Sequence, residues 1–312
     1  MPQVNLITEI SPEKLQSWIE EDINFLLIDT LAPEYHERVH IPQAQNCCVF
    51  QVTFPNRIEE ITTDKHTPMV LYGANAGTMD AQSAAEKLHR SGYENIYILA
   101  GGIEGWRDAG LPLQGDAAAL DEETQHLQPL QEGRYLVDPT KSSVVWAGRN
   151  PASRHYGNIV ISAGELRVKK NEVSGDLHID MNSITNINLE GDELQPVLVS
   201  HLKSDDFFDT DLYPSAQFEI SGSTPLEENY RTSPNFGIQG RLNLKGKWAD
   251  LIFPATINRL DDGSLTLEAH FDIDRTRWGV IYGSTRFFKH LGMHLVFDHL
   301  SIELRLVAEK NN

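Results

Sequence analysis

From Tyr135 to the end of the chain, apolar residues recur at every second position, and this period limits what that half can fold into. Val173, Leu177, Ile179 and Met181 alternate with Ser, Asp and His, and the same period returns in Phe218/Ile220 and Ile238/Leu242/Leu244. It appears again in Leu265/Leu267/Phe271/Ile273 and Leu300/Ile302/Leu304/Leu306. Such segments are strands with one buried and one wet face. Many in succession, parted by turns such as Asp261-Asp262-Gly263, predict a sandwich or barrel. One interruption, Leu189 to Asp209, reads as helical.

The first hundred residues have a different texture. Short, uniformly apolar runs (Phe25 to Asp29, Met69 to Tyr72, Ile96 to Leu99) suit strands buried on both faces of a parallel sheet. Helical patterns lie between them. Ser11-Pro12-Glu13 supplies an N-cap and a proline at N1, and Ala81 to Arg90 puts Ala84, Ala85 and Leu88 on one stripe before Gly92. Strands alternating with helices predict an α/β domain. Between the two textures, Gln114 to Gly133 is polar and fits neither core. The expected layout is residues 1–115, a linker 116–133, and a β domain 134–312.

The 312 residues are too many for one ordinary core and suit two domains. The formal net charge of −19 argues against nucleic acid and against docking on anionic lipid. The adjacent Cys47 and Cys48 do not form a disulfide framework. The start of the sequence has no basic and apolar leader pattern, and no run is long enough to span a membrane. Together these give the expectation of a cytoplasmic protein.

Leu27-Ile28-Asp29, Pro33-Glu34-Tyr35, His40-Ile41-Pro42-Gln43-Ala44 and the stretch Gly92 to Trp106 with Ala109-Gly110-Leu111-Pro112 resemble a rhodanese domain over roughly residues 5 to 115. In active members, the resemblance implies, a cysteine after the central strand opens a loop whose amides stabilise its thiolate. Here the loop is Gly73-Ala74-Asn75-Ala76-Gly77-Thr78, and the spacing to Ala84 and Ala85 puts Gly73 at the cysteine position. The loop has no Arg or Lys, and a threonine hydroxyl at Thr78 cannot form a persulfide. The expectation is a domain without a catalytic residue, able to bind an anion or to dock a partner. The alternative is a sulfurtransferase using a non-standard thiol.

The second half resembles the YceI family, a lipocalin-like antiparallel barrel. Tyr135 to Trp146, His201-Leu202-Lys203-Ser204-Asp205-Asp206-Phe207-Phe208-Asp209, Gly240 to Trp248, Ile273-Asp274-Arg275-Thr276 and Tyr282-Gly283-Ser284 carry the likeness. It implies a hollow barrel holding an isoprenoid, quinone or fatty acyl chain, and the possibility of a homodimer. Periodicity alone fits a packed interior equally. The expected lining is Leu177, Ile179, Phe218, Ile220, Ile238, Leu242, Leu244, Leu267, Phe271, Ile273, Ile302 and Leu304. Phe207 and Phe208 are read as a lid or as a staple for the helical insertion. Phe287 and Phe288, with Leu291, are read as a second rim or as core. Arg275 is either an anchor for a polar head group or one half of an exposed ion pair. In the barrel half His290, His294 and His299 lie near one another but in a mixed, loop-like context, and neither metal nor cofactor is expected.

Overall fold

The computed structural model describes residues 8–117, 129–227, 230–260 and 262–311. The chain divides into two compact units, residues 1–123 and 124–312.

The first unit is built in the order β1 (Thr8–Ile10), α1 (Pro12–Glu20), β2 (Leu26–Asp29), α2 (Pro33–Arg38), β3 (Val39–His40), β4 (Gln45–Asn46), α3 (Phe54–Ile61), β5 (Met69–Tyr72), α4 (Asp80–Arg90), β6 (Ile96–Leu99), α5 (Gly102–Asp108) and β7 (Gln114–Gly115). Five strands form a parallel sheet in the order β1-β6-β5-β2-β4. Its apolar runs are uniform because both faces are covered. Ile28, Met69 and Leu71 pack with Ala84, Leu88 and Phe54, while Leu27, Val70 and Tyr72 pack with Leu15, Ile103 and Trp106. Helix starts follow the sequence signals. The Ser11 hydroxyl accepts from the Lys14 N–H at 3.2 Å, and α1, α2 and α3 each carry proline in the first turn. The buried Asp29 carboxylate accepts from Leu31 N, His36 Nδ1 and Tyr72 OH at 2.9, 2.8 and 2.9 Å, tying α2 to the sheet.

The second unit runs β8 (Gly133–Val137), β9 (Ser143–Arg149), β10 (Arg154–Lys169), β11 (Glu172–Asp180), α6 (Leu194–Lys203), β12 (Ser215–Pro225), β13 (Phe236–Leu244), β14 (Lys247–Arg259), β15 (Leu265–Asp274) and β16 (His299–Asn311). Every pairing is antiparallel, and β10 pairs with β11 to close the sheet. Strands β8 and β9 share one place in the ring. Each lies between β10 and β16, β8 against Ala308–Asn311 and β9 against Ser301–Arg305. The result is an eight-position closed barrel, a size whose interior is just filled by side chains or holds one slender ligand.

Two expectations are corrected here. The helical insertion is shorter than Leu189–Asp209: Gly191 takes φ +84° before it and Asp209 φ +50° after it, confining α6 to Leu194–Lys203. The linker is also shorter than 116–133 at its C-terminal side. Leu130 is buried in the barrel core, its N–H donates to Asn171 Oδ1 at 2.8 Å, and Tyr135 OH donates to Gln131 O at 2.7 Å. Residues 118–128 of the expected linker lie outside the described residues.

Candidate functional site

The barrel is packed solid at one end and hollow at the other. At the solid end Ile220, Ile238 and Leu267, expected to line a channel, are core residues packed with Phe236, Ile257 and Leu306. Alternation tells which way a side chain points but not its height along the barrel axis. At the other end lies a cavity of about 120 Å³. Of the expected lining, Leu177, Ile179, Phe208, Phe218, Leu242, Leu244, Phe271, Ile273, Ile302 and Leu304 surround it. Val144, Trp146, Ile159, Ile161, Met181, Ile184, Ala216, Leu251, Phe253 and Leu300 complete the wall. Several of these were legible by the same period of two, which pairs Val144 with Trp146, Ile159 with Ile161 and Leu251 with Phe253. The lining residues are all apolar. Phe253 and Phe271 stack at 4.0 Å with nearly parallel rings, and Phe218 tilts against Phe253 at 5.7 Å. Trp146, the lining residue with a polar tip, donates its Nε1–H to Thr185 O at 3.1 Å.

A second cavity of about 100 Å³ adjoins the first. Trp146, Phe208 and Leu300 line both and so form the wall between them. The second cavity lies under α6, whose Leu198 and Leu202 face it, and it adds Phe207, Val296 and the polar Arg149, Asn150, His155 and Arg275. Phe207 and Phe208 take different places at this end of the barrel. Both are buried; Phe208 partitions the cavities, while Phe207 staples His201 and Tyr282 with ring contacts of 4.9 and 5.2 Å. Phe287 and Phe288 are neither rim nor core. They are 50% and 43% exposed and line neither cavity.

Arg275 also departs from both of its readings. Its side chain is fully buried, and its guanidinium donates to the carbonyls of Phe297, Val280, Tyr282 and Val296 at 3.0, 2.6, 2.8 and 3.0 Å. Burial pushes its pKa below the ordinary arginine value, opposed by Asp298 and Asp274. It is a clamp on two stems of backbone.

In the first unit the loop after β5 is closed on itself. Ala74 N donates to Asp80 Oδ2 at 3.2 Å, Asn75 N to Thr78 Oγ1 at 3.3 Å, and Gly77 N to Asn75 Oδ1 at 2.9 Å. Asn75 Nδ2 donates to Glu104 Oε1 at 3.0 Å. A Cβ on Gly73 would lie 2.7 Å from Asp80 Cβ and 2.8 Å from its Oδ2. The side chain of Asp80 thus fills the space in which a residue-73 side chain would stand, and brings a negative charge. The Asp80 carboxylate thus stands beside the amides of Gly73 to Thr78 and takes the N–H of Ala74.

Cys47 lies in the core of the first unit. It is buried, donates to Phe54 O at 3.7 Å, and burial pushes its thiol up to about 11. At pH 8 only about one molecule in a thousand is then thiolate. Cys47 is expected to stay unmodified when the folded chain meets iodoacetamide at pH 8, while the urea-unfolded chain is fully alkylated; mass spectrometry of the peptide reads the difference. Among the described residues no group of three or more His, Cys, Asp or Glu could hold a metal ion, and no helix is long and apolar enough to cross a membrane.

The comparisons with known proteins agree with this division. The family model of the YceI-like domain matches residues 135–308, more than half of the chain, and that of the rhodanese-like domain matches residues 11–109. The thiosulfate sulfurtransferase GlpE of Actinobacillus succinogenes is 33% identical over 107 residues, covering 34% of this chain and 90% of that protein. Among solved structures, BcnA of Burkholderia cenocepacia aligns with 22% identity over 55% of this chain and 98% of its own, at a TM-score of 0.43. A polyisoprenoid binding domain from Saccharophagus degradans aligns with 14% identity over 58% of this chain and all of its own, at 0.42. The chain therefore belongs to the YceI-like family through its barrel and carries a rhodanese-like domain before it.

Proposed function

We propose that the barrel binds an apolar, lipid-type molecule (an isoprenoid, a quinone tail or a fatty acyl chain) and that the rhodanese-like domain transfers no sulfur. The observation that carries the first part is the cavity walled by apolar side chains at one end of the barrel. A void of about 120 Å³ kept dry would cost on the order of 3 kcal/mol of stability. Apolar cavities of roughly 150 Å³ exclude water and take up small rings. The occupied volume at rest suits a ring or a short chain segment. A long chain would need Phe208 to turn aside and join the two cavities. Native mass spectrometry of protein purified without detergent, followed by organic extraction, tests the reading. A stoichiometric apolar molecule is expected. A bare mass with no uptake of added quinone or fatty acid would transfer the function to the surface of a packed scaffold.

The second part rests on Gly73 and Asp80. Similarity to a thiosulfate sulfurtransferase favours the competing enzyme reading, but a nucleophile at position 73 would collide with Asp80. Gly73→Cys alone is therefore expected to stay inactive in a thiosulfate–cyanide assay. Gly73→Cys with Asp80→Gly, which removes the two contacts under 3 Å and the charge, is expected to gain one sulfur atom in mass on incubation with thiosulfate, the thiolate taking the outer sulfur as the S–S bond breaks and sulfite leaves. Turnover by the unaltered chain would overturn the assignment.

A further inference from the structure

We infer that the segment between β15 and β16 docks the barrel on the surface of an anionic lipid bilayer. Residues 275–297 contain Arg275, Arg277, Arg286 and Lys289 and no Asp or Glu, in a chain whose net charge is −19; Arg275 is buried and Arg286 pairs with Asp274, which leaves the exposed Arg277 and Lys289 to meet a surface. Whole-chain charge argues against such a surface; the distribution of charge argues for it at this one place. The same segment exposes large apolar side chains, Phe287 at 50%, Phe288 at 43% and Met293 at 95%. Apolar side chains beside cations are what a protein uses to sit at the headgroup boundary of anionic lipid.

The tip is also held in place. Arg275 fastens both stems of the segment, bonding Val280 and Tyr282 on one side and Val296 and Phe297 on the other. Val296 N donates to Gly283 O at 2.9 Å, with Gly283 at φ +68°, and closes the neck. Of the acids near the root, Asp274 and Asp298 face Arg286, and Asp206 lies 3.0 Å from His201 Nε2. Lys289 makes no ion pair among the described residues. At physiological salt the screening length is about 8 Å, so the bilayer would meet the tip while more distant acids are largely hidden. The inference goes beyond ligand binding in the barrel, and its test uses no ligand.

The test is co-sedimentation of the full chain with vesicles of phosphatidylcholine alone or of an equal mixture with phosphatidylglycerol. Sedimentation is expected with the mixture, weakening as salt rises, and little or none with phosphatidylcholine. Lys289→Glu is expected to weaken binding at least about fivefold, near the effect of one basic residue at such a surface. Phe287→Ser with Phe288→Ser is expected to weaken it at least about tenfold. These side chains are exposed, so far-ultraviolet circular dichroism of the variants is expected to match the parent. Absence of sedimentation with either vesicle, equal sedimentation with both, or undiminished binding by both folded variants would each overturn the inference.

Discussion

Arg275→Met is expected to lower the stability of the barrel by about 3–5 kcal/mol, the loss typical of removing one partner from a buried charged network. Methionine matches much of the arginine stem, so packing alone changes little. What disappears is the donor set for four carbonyls, of Val280, Tyr282, Val296 and Phe297. Unpaired buried carbonyls each carry a desolvation penalty of about 1–3 kcal/mol, relieved only where the stems open to water. Arg275→Lys is expected to recover less than half of the loss, since one ammonium has three donors and no planar fork to span two stems. Urea unfolding followed by tryptophan fluorescence measures it, with Trp146, Trp248 and Trp278 in the barrel and Trp18 and Trp106 in the other unit. Two domains can give two transitions, so the barrel midpoint is the one to compare. A change below about 1 kcal/mol would mean that the clamp is incidental.

That arginine also marks where the sequence stopped being legible. Beside Asp274, after a strand, it resembles a surface ion pair, because spacing along a chain carries no information about which distant carbonyls converge on a side chain. The strands themselves were legible, since a period of two requires only local residues and a nearby core. So were α1 and α4, whose caps and stripes lie within a dozen residues. The solid end of the barrel was not. Ile238 and Leu242 share one inward face, yet one is locked in core and the other borders a cavity. Whether facing side chains meet depends on register across all eight places of the ring. Asp80 was missed for a related reason: an acid in the first turn of a helix is ordinarily a favourable partner of the helix dipole. Only the close approach of its Cβ to Gly73 turns it into an obstruction.

Ala216→Phe is expected to reduce uptake of an apolar ligand at least about a hundredfold while leaving the barrel folded. Ala216 lies on β12 opposite Ile179, is nearly fully buried, and borders the cavity. A ring placed there would stand where the occupant must stand. Excluding a ligand that buries roughly 120 Å² of apolar surface forfeits about 3 kcal/mol, which is a factor of more than a hundred in affinity. The same ring fills a void, so thermal stability is expected to hold or rise; if it is too large for the space, overpacking costs about 1–3 kcal/mol. Phe208→Ala makes the opposite change. It removes part of the wall between the two cavities and is expected to favour longer chains over shorter ones. Titration of a fluorescent conjugated fatty acid into each variant, with a melting curve alongside, gives both readings. Undiminished affinity in Ala216→Phe with an unshifted melting curve would place the ligand outside the barrel. Lost affinity with an intact fold would identify the hollow end as the seat of binding.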